Sequence, residues 1–208
     1  MLYMIDFPLY LITDRKQVAN GHTLYTAVEA ALQGGVKAVQ LREKDLSPDA
    51  LLPLAKELRA LTIRYGALLF INDNIDIALA IKADGVHLGG HSQPTDVIRT
   101  KVGRKMLIGV STHSKAGIES AAKQGADFVT FGPVYATPSK AEYGEPQGLG
   151  KLAEACRNSS IPVFALGGIT PERATEVKQT GAKGIALISA IIACPAPRKA
   201  AEAFATCD

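Results

Sequence analysis

What this chain lacks narrows the field first. No apolar run among its 208 residues approaches the roughly 18 that a membrane-spanning helix needs, so no membrane partner is expected. Its three cysteines, Cys156, Cys194 and Cys207, are odd in number and form no C-x-x-C pair. That argues against a disulfide framework and a thiolate zinc site, and suits a reducing cytoplasm. Neither sign of charge accumulates: 23 Lys and Arg face 20 Asp and Glu, a net +3 without long basic blocks. Nucleic acid is therefore not indicated as a partner, and any affinity for anions has to be local. The start MLYMIDFPLYLITDR carries Asp6 and Pro8 where an export signal would need a basic opening and a clean apolar run. With 47% apolar and 21% charged residues, one globular domain over residues 1–208 is the expectation.

What is present is an alternation. Eight short β-rich runs recur, each followed by turn residues and a helical pattern: Leu9 to Thr13, Ala38 to Arg42, Leu68 to Ile71, Gly85 to Leu88, Leu107 to Val110, Phe128 to Phe131, Val163 to Leu166 and Gly184 to Ile188. Between them, Ser47 to Gly66, Ser114 to Gly125 and Thr170 to Gly181 each open on a Ser or Thr cap and stop at Gly. The entries to the even strands echo one another: GGVKAVQL, KADGVHL, GADFVTF and GAKGIAL. Strand–helix alternation calls for a parallel sheet with helices outside, and eight echoing units close most naturally into a (β/α)8 TIM barrel.

In such a barrel the chemistry sits just past the carboxyl ends of the strands. Those positions hold Thr13, Asp14 and Arg15; Gln40, Arg42 and Lys44; Asn72 and Asp73; Ser111 and His113; Gly167 and Gly168; and Ser189. The turn Gly167-Gly168-Ile169-Thr170-Pro171 lets backbone N–H groups approach a phosphate at a helix start; the plainer reading is a tight turn with a cap at Thr170. Arg42, Lys44 and Lys140 are three cations that can converge on one mouth with the acid Asp73, a set suited to a diphosphate bridged by a metal. Here too a plainer reading exists: a solvated charged turn at residues 42–45 and a helix-capping box at Asp73 to Asp76. His87 falls inside a strand, where a core histidine bonded to its neighbours is expected rather than a catalyst.

One stretch breaks the alternation. FGPVYATPSKAEYGEPQG, residues 131–148, is too long and too polar for an ordinary connection, and loops of this length in compact domains are usually functional or disordered. Thr137, Ser139 and Lys140 suit an anion, and the remainder, Ala141 to Gly148, reads as the moving part of a lid.

The series YLITDR, GGVKAVQLREKD, LLFINDNIDIAL, ADGVHLG, IGVSTH, FGPVYATPSK, LGGIT and ALISAI resembles, in order and over about residues 9–205, thiamine phosphate synthase and its TenI-like paralogues. The resemblance implies an alkyl transfer that joins 4-amino-2-methyl-5-hydroxymethylpyrimidine diphosphate to a thiazole phosphate. It further implies that Gln40, Arg42, Lys44, Asn72 and Lys140 bind the pyrimidine diphosphate, with Ser111 beside it. Asp73 would hold Mg²⁺, and Thr137, Ser139, Gly168, Ile188 and Ser189 would receive the thiazole phosphate. Lys140, Arg42 and Ser111 are then the expected catalytic set, and a homo-oligomer is a family expectation. The departure is GGHS at residues 89–92: Ser92 stands where synthases usually carry a second Mg²⁺ carboxylate. A TenI-like tautomerase and a silent phosphate-binding regulator are the alternatives. Pro133, at a position where such tautomerases can carry a histidine, and the presence of Lys140 favour the synthase.

Overall fold

A computed structural model describes residues 5–137 and 145–206. The eight expected strands form: β1 (Leu9–Ile12), β2 (Ala38–Leu41), β3 (Leu68–Asn72), β4 (Gly85–Leu88), β5 (Leu107–Thr112), β6 (Phe128–Phe131), β7 (Val163–Leu166) and β8 (Gly184–Leu187). They pair in parallel in chain order, and β8 closes on β1 through Leu9 with Ile185 and Leu11 with Leu187. The result is the (β/α)8 TIM barrel that the alternation implied. Outside it lie α1 (Leu24–Gln33), α2 (Pro48–Arg64), α3 (Ile75–Ala80), α4 (Thr95–Val102), α5 (Lys115–Lys123), α6 (Gly148–Asn158) and α7 (Pro171–Gln179), followed by a one-turn α8 (Ser189–Ile192) and α9 (Pro197–Ala205).

Helix α2 shows how local chemistry sets an element. The Ser47 hydroxyl accepts from the amide of Ala50, Pro48 pre-sets the first turn, and Arg64 sits in the last turn where positive charge suits the helix end. Its buried residues Leu51, Ala55, Leu58, Leu61 and Thr62 recur every three or four positions and face the barrel. Gly66, at φ 61°, turns the chain toward β3.

Two of the four echoing strand entries carry an acid that anchors them. Asp84 accepts from the Leu69 amide at 2.8 Å and pairs with Arg59 of α2 at 2.6 Å. Asp127 accepts from the Ile108 amide at 2.7 Å and pairs with Arg99 of α4 at 2.5 Å. In each case a carboxylate at the bottom of the barrel ties the start of the preceding strand to a helix.

Two apolar compartments result. One lies between sheet and helices; the other fills the barrel with Phe7, Tyr10, Phe70, Phe128 and Phe164. The rings of Phe7 and Phe164 stack at 5.0 Å, and Phe70 meets Phe128 edge-on at 5.4 Å. Glycines on β4, β5 and β8 give these rings their space: a Cβ on Gly85 would stand 2.4 Å from Phe70, one on Gly109 2.5 Å from Phe128 and one on Gly184 2.6 Å from Phe164. The lower barrel is therefore closed by aromatics, and polar inward-facing residues appear only toward the carboxyl ends.

Candidate active site

On one side of the mouth, the β2 end is organised by a buried acid. Glu43 is 6% exposed; it accepts from the Thr13 hydroxyl at 2.7 Å and from the Arg15 amide at 3.1 Å through both oxygens. Thr13 in turn accepts from the Arg42 amide at 3.0 Å, and the Arg15 guanidinium grips Asp45 at 2.6 and 2.8 Å. That grip holds the Asp45 carboxyl well below the usual carboxylate range. Residues 42–45 are thus an anchored loop that presents Arg42 and Lys44; the solvated-turn reading holds for the exposed Lys44 and Asp45 but not for Glu43, which has exchanged water for three protein donor groups.

Asp73 follows β3 in a left-handed conformation, φ 57°, which costs a non-glycine residue about 1–2 kcal/mol. Its amide donates to the His87 carbonyl at 3.0 Å. One carboxylate oxygen accepts from the Gly89 amide at 3.2 Å and from the Ser92 hydroxyl; the other accepts from the Asn72 side chain at 2.7 Å. The capping alternative for Asp73 is corrected: Asn74 caps α3, accepting from the Ile77 amide at 2.9 Å, and Asp73 is turned to the β4 loop instead. Lys44, Asn72, Asp73 and Ser92 stand at the rim of a cleft of about 750 Å³ that runs outward from the strand ends between α2, α3 and α4, with Leu51, Leu79, Leu88 and Ile98 in its wall.

On the opposite side, Thr137, Gly168, Ile188 and Ser189 line a second, small cavity of about 80 Å³ together with His113 and Gly132. Gly167 and Gly168 adopt φ 104° and 65°, and the Val134 and Tyr135 amides donate to the carbonyls of Leu166 and Gly167 at 2.9 and 3.0 Å. A Cβ at Gly168 would meet the Ala136 carbonyl oxygen at 2.8 Å, so a side chain there would push the two loops apart. Thr170 takes the cap position of α7 without a side-chain cap bond. Ser189 is the first residue of α8.

Between the two sides lies the floor. Strand β5 runs two residues beyond its expected end at Val110, so Ser111 lies within the strand. Its hydroxyl is 3.0 Å from His87 Nε2, while His87 Nδ1 is 3.2 Å from the Tyr10 hydroxyl, which accepts from Gln40 at 3.1 Å. Burial pushes His87 down to about 3, with Asp73 opposing and Arg42 assisting that shift, and pushes Tyr10 well up. Both are neutral near pH 7. The expectation that His87 is a bonded core histidine holds.

Ser139 and Lys140, with the rest of residues 138–144, lie outside the described residues. The lid reading is corrected at its far end. Gly148 is the first residue of α6, and the amides of Gln147 and Gly148 donate to the carbonyls of Pro133 and Val134 at 2.8 and 3.0 Å. Those bonds pin the loop's return beside its departure. Sequence reasoning missed Tyr10, Glu43, Tyr135 and Arg173; the one visible signal was an uncancelled polar residue in or beside an apolar strand, as at Tyr10 in LYLI.

These observations define a (β/α)8 barrel with a candidate site at the carboxyl ends of the strands. The chain belongs to the thiamine monophosphate synthase family, whose sequence pattern matches residues 9–191. It is 42% identical to a thiamine-phosphate synthase of Roseiflexus castenholzii, over 98% of this chain and 90% of that one. It is 58% identical to a Geobacter sulfurreducens protein provisionally named a thiamine-phosphate synthase, over 96% of this chain and 93% of the relative. The structure of thiamine phosphate pyrophosphorylase from Pyrococcus furiosus superposes with a TM-score of 0.87 at 37% identity, covering 96% of this chain and 94% of that one.

Proposed function

We propose that this mouth performs thiamine phosphate synthase chemistry, a transferase reaction of thiamine biosynthesis in which a pyrimidine diphosphate and a thiazole phosphate give thiamine phosphate and diphosphate. The observation that carries the reading is the set of strand ends: Lys44, Asn72 and Asp73 on one side, at the rim of the large cleft, a glycine-lined cavity with Ser189 on the other, and the hydrogen-bonded Gln40 and Ser111 on the barrel strands. Two anionic substrates with uncharged rings meeting in the middle suit that arrangement.

The C–O bond between the pyrimidine methylene and the diphosphate breaks with its electron pair leaving on the diphosphate, and the thiazole nitrogen supplies the pair for the new C–N bond. No proton has to move, so no nucleophile with an adjacent base is required. The chain's task is to stabilise the leaving anion and to hold two rings in line. Arg42, Lys44, Asn72 and Lys140 take the diphosphate. Gln40 and Ser111 orient the pyrimidine. Thr137, Ser139, Gly168, Ile188 and Ser189 hold the thiazole phosphate, in the region after the seventh and eighth strands where barrels of this kind often bind phosphate.

Among the described residues no group of three or more His, Cys, Asp and Glu is placed to hold a metal. Asp73 and Ser92 nonetheless offer a carboxylate and a hydroxyl oxygen, which fits Mg²⁺, an ion that commonly takes only one or two carboxylates and completes its shell with water and substrate phosphate. When bound there, Mg²⁺ offsets negative charge on the departing diphosphate. Asp73 and Ser92 are its proposed protein ligands. Purified protein given Mg²⁺, the pyrimidine diphosphate and the thiazole phosphate is expected to form thiamine phosphate; no product above a heat-treated control overturns the reading.

A further inference from the structure

Four polar residues from four different strands are joined across the top of the barrel. Gln40 of β2 reaches Tyr10 of β1, Tyr10 reaches His87 of β4, and His87 reaches Ser111 of β5. The chain is enclosed. Tyr10 is fully buried and His87 and Gln40 are each 1% exposed, so water does not compete for the two middle members. His87 is also held sideways: Tyr10 and Phe128 rings lie 5.7 and 5.9 Å away, and a Cβ on Gly109 would stand 2.6 Å from Nδ1.

A phenol has one hydrogen to give. The Tyr10 oxygen accepts from the Gln40 side-chain amide, and its own hydrogen has His87 Nδ1 within reach at 3.2 Å as an acceptor. A neutral imidazole that accepts at Nδ1 carries its proton on Nε2, and Nε2–H then donates to Ser111. Each bond fixes the sense of the next, and bonds in such a chain reinforce one another in a low-dielectric interior. We infer that Tyr10 and His87 are positioning residues that lock His87 in the Nε2–H form, so that Gln40 offers its carbonyl oxygen and Ser111 its hydroxyl hydrogen to the ligand in the mouth. An acceptor and a donor fixed in this way match a ring edge that carries an amino group beside an unprotonated nitrogen. They disfavour the analogue in which an oxo group and a ring N–H replace them.

This inference rests on the reading that an aminopyrimidine binds the floor, so its first test does not use turnover. Substrate-free protein labelled with ¹⁵N-histidine is examined by long-range ¹H–¹⁵N correlation near neutral pH, with the His87 signals assigned by their loss in His87→Gln. The expected pattern is an unprotonated Nδ1 and a protonated Nε2. A proton on Nδ1 means that the chain runs the other way and overturns the inference; an imidazolium pattern overturns it as well.

The second test is kinetic. In Tyr10→Phe the ring packing is kept and the relay is cut. The ¹⁵N pattern is expected to become a mixture of the two neutral forms. The turnover number with the pyrimidine diphosphate should fall about tenfold or more, while KM for the thiazole phosphate stays within about twofold. His87→Gln, whose amide can still donate to Ser111, should keep at least about tenfold more activity than His87→Leu. Turnover unchanged in a folded Tyr10→Phe whose imidazole is no longer locked overturns the positioning role. If the Nε2–H form is found but no thiamine phosphate is made by the wild type, the proposed reaction fails and the relay stands.

Discussion

The guanidinium carbon of Arg173 stands 4.4 Å over the ring of Tyr135, and the same guanidinium donates to the Gly168 carbonyl at 2.8 Å. Tyr135 donates to Glu176 at 2.5 Å, and its phenol is pushed up to about 12, first by burial and then by Glu176. One side chain on α7 therefore braces both loops that surround the small cavity. Arg173→Ala is expected to raise KM for the thiazole phosphate about three- to tenfold and to leave KM for the pyrimidine diphosphate within twofold. An equal rise in both would remove Arg173 from that side of the mouth.

Ser92 donates to Asp73 where a carboxylate would face it. Ser92→Asp adds a second hard oxygen anion to the cleft and should lower the Mg²⁺ concentration for half-maximal rate several-fold, since affinity for such ions rises with ligand charge. An unchanged or raised Mg²⁺ requirement argues against a metal at this corner.

Glu43 is the anchor of the Arg42 and Lys44 loop. Replacing it with Ala leaves the Thr13 hydroxyl and the Arg15 amide without their acceptor, a loss on the order of 2–3 kcal/mol. Urea unfolding reads the stability loss, and steady-state kinetics should show KM for the pyrimidine diphosphate raised more than KM for the thiazole phosphate. A variant as stable as the wild type would mean that water replaces Glu43 without penalty.

His87 makes stability depend on pH. Unfolded, its imidazole takes a proton below about 6.5; folded, burial delays this to about 3. Between those values the unfolded state binds more protons, so stability falls as pH falls, with a slope approaching about 1.4 kcal/mol per unit, and this group adds no pH dependence above that window. Urea unfolding at pH 7.5 and 5 should show the wild type losing more stability than His87→Gln. Equal losses would mean that the imidazole takes up its proton without unfolding.

Gly109 separates packing from chemistry. A Cβ there would meet the Phe128 ring at 2.5 Å and His87 Nδ1 at 2.6 Å. Gly109→Ala should therefore cost about 1–3 kcal/mol by overpacking and also disturb the His87 signals. Thermal unfolding with ¹⁵N spectra checks both, and an unperturbed imidazole would show that the ring has room to give.

The strands and the helix starts were legible because their signals are local. A run such as LLFI, buried on both faces of a parallel sheet, is apolar throughout, and Ser47-Pro48 marks a helix start whatever surrounds it. The strand-end residues could be read as candidates once the alternation implied a barrel, since topology alone brings those ends together. Glu43 could not: in Arg-Glu-Lys-Asp nothing local distinguishes the buried acid from an exposed one, and its partners Thr13 and Arg15 come from another loop about 30 residues earlier in the chain.

By itself the sequence determined the alternation, hence the barrel and the ring of strand ends in which Gln40, Arg42, Asp73, Ser111 and Gly168 stand, because hydrophobic period and turn chemistry act within a few residues. Only the tertiary structure decided that Tyr10 and His87, 77 positions apart, would meet inside that ring, that Ser92 would turn to Asp73, and that Asn74 would cap α3 in place of Asp73. Those outcomes depend on which side chains a closed barrel directs into the same few ångströms, and on each buried donor finding an acceptor there.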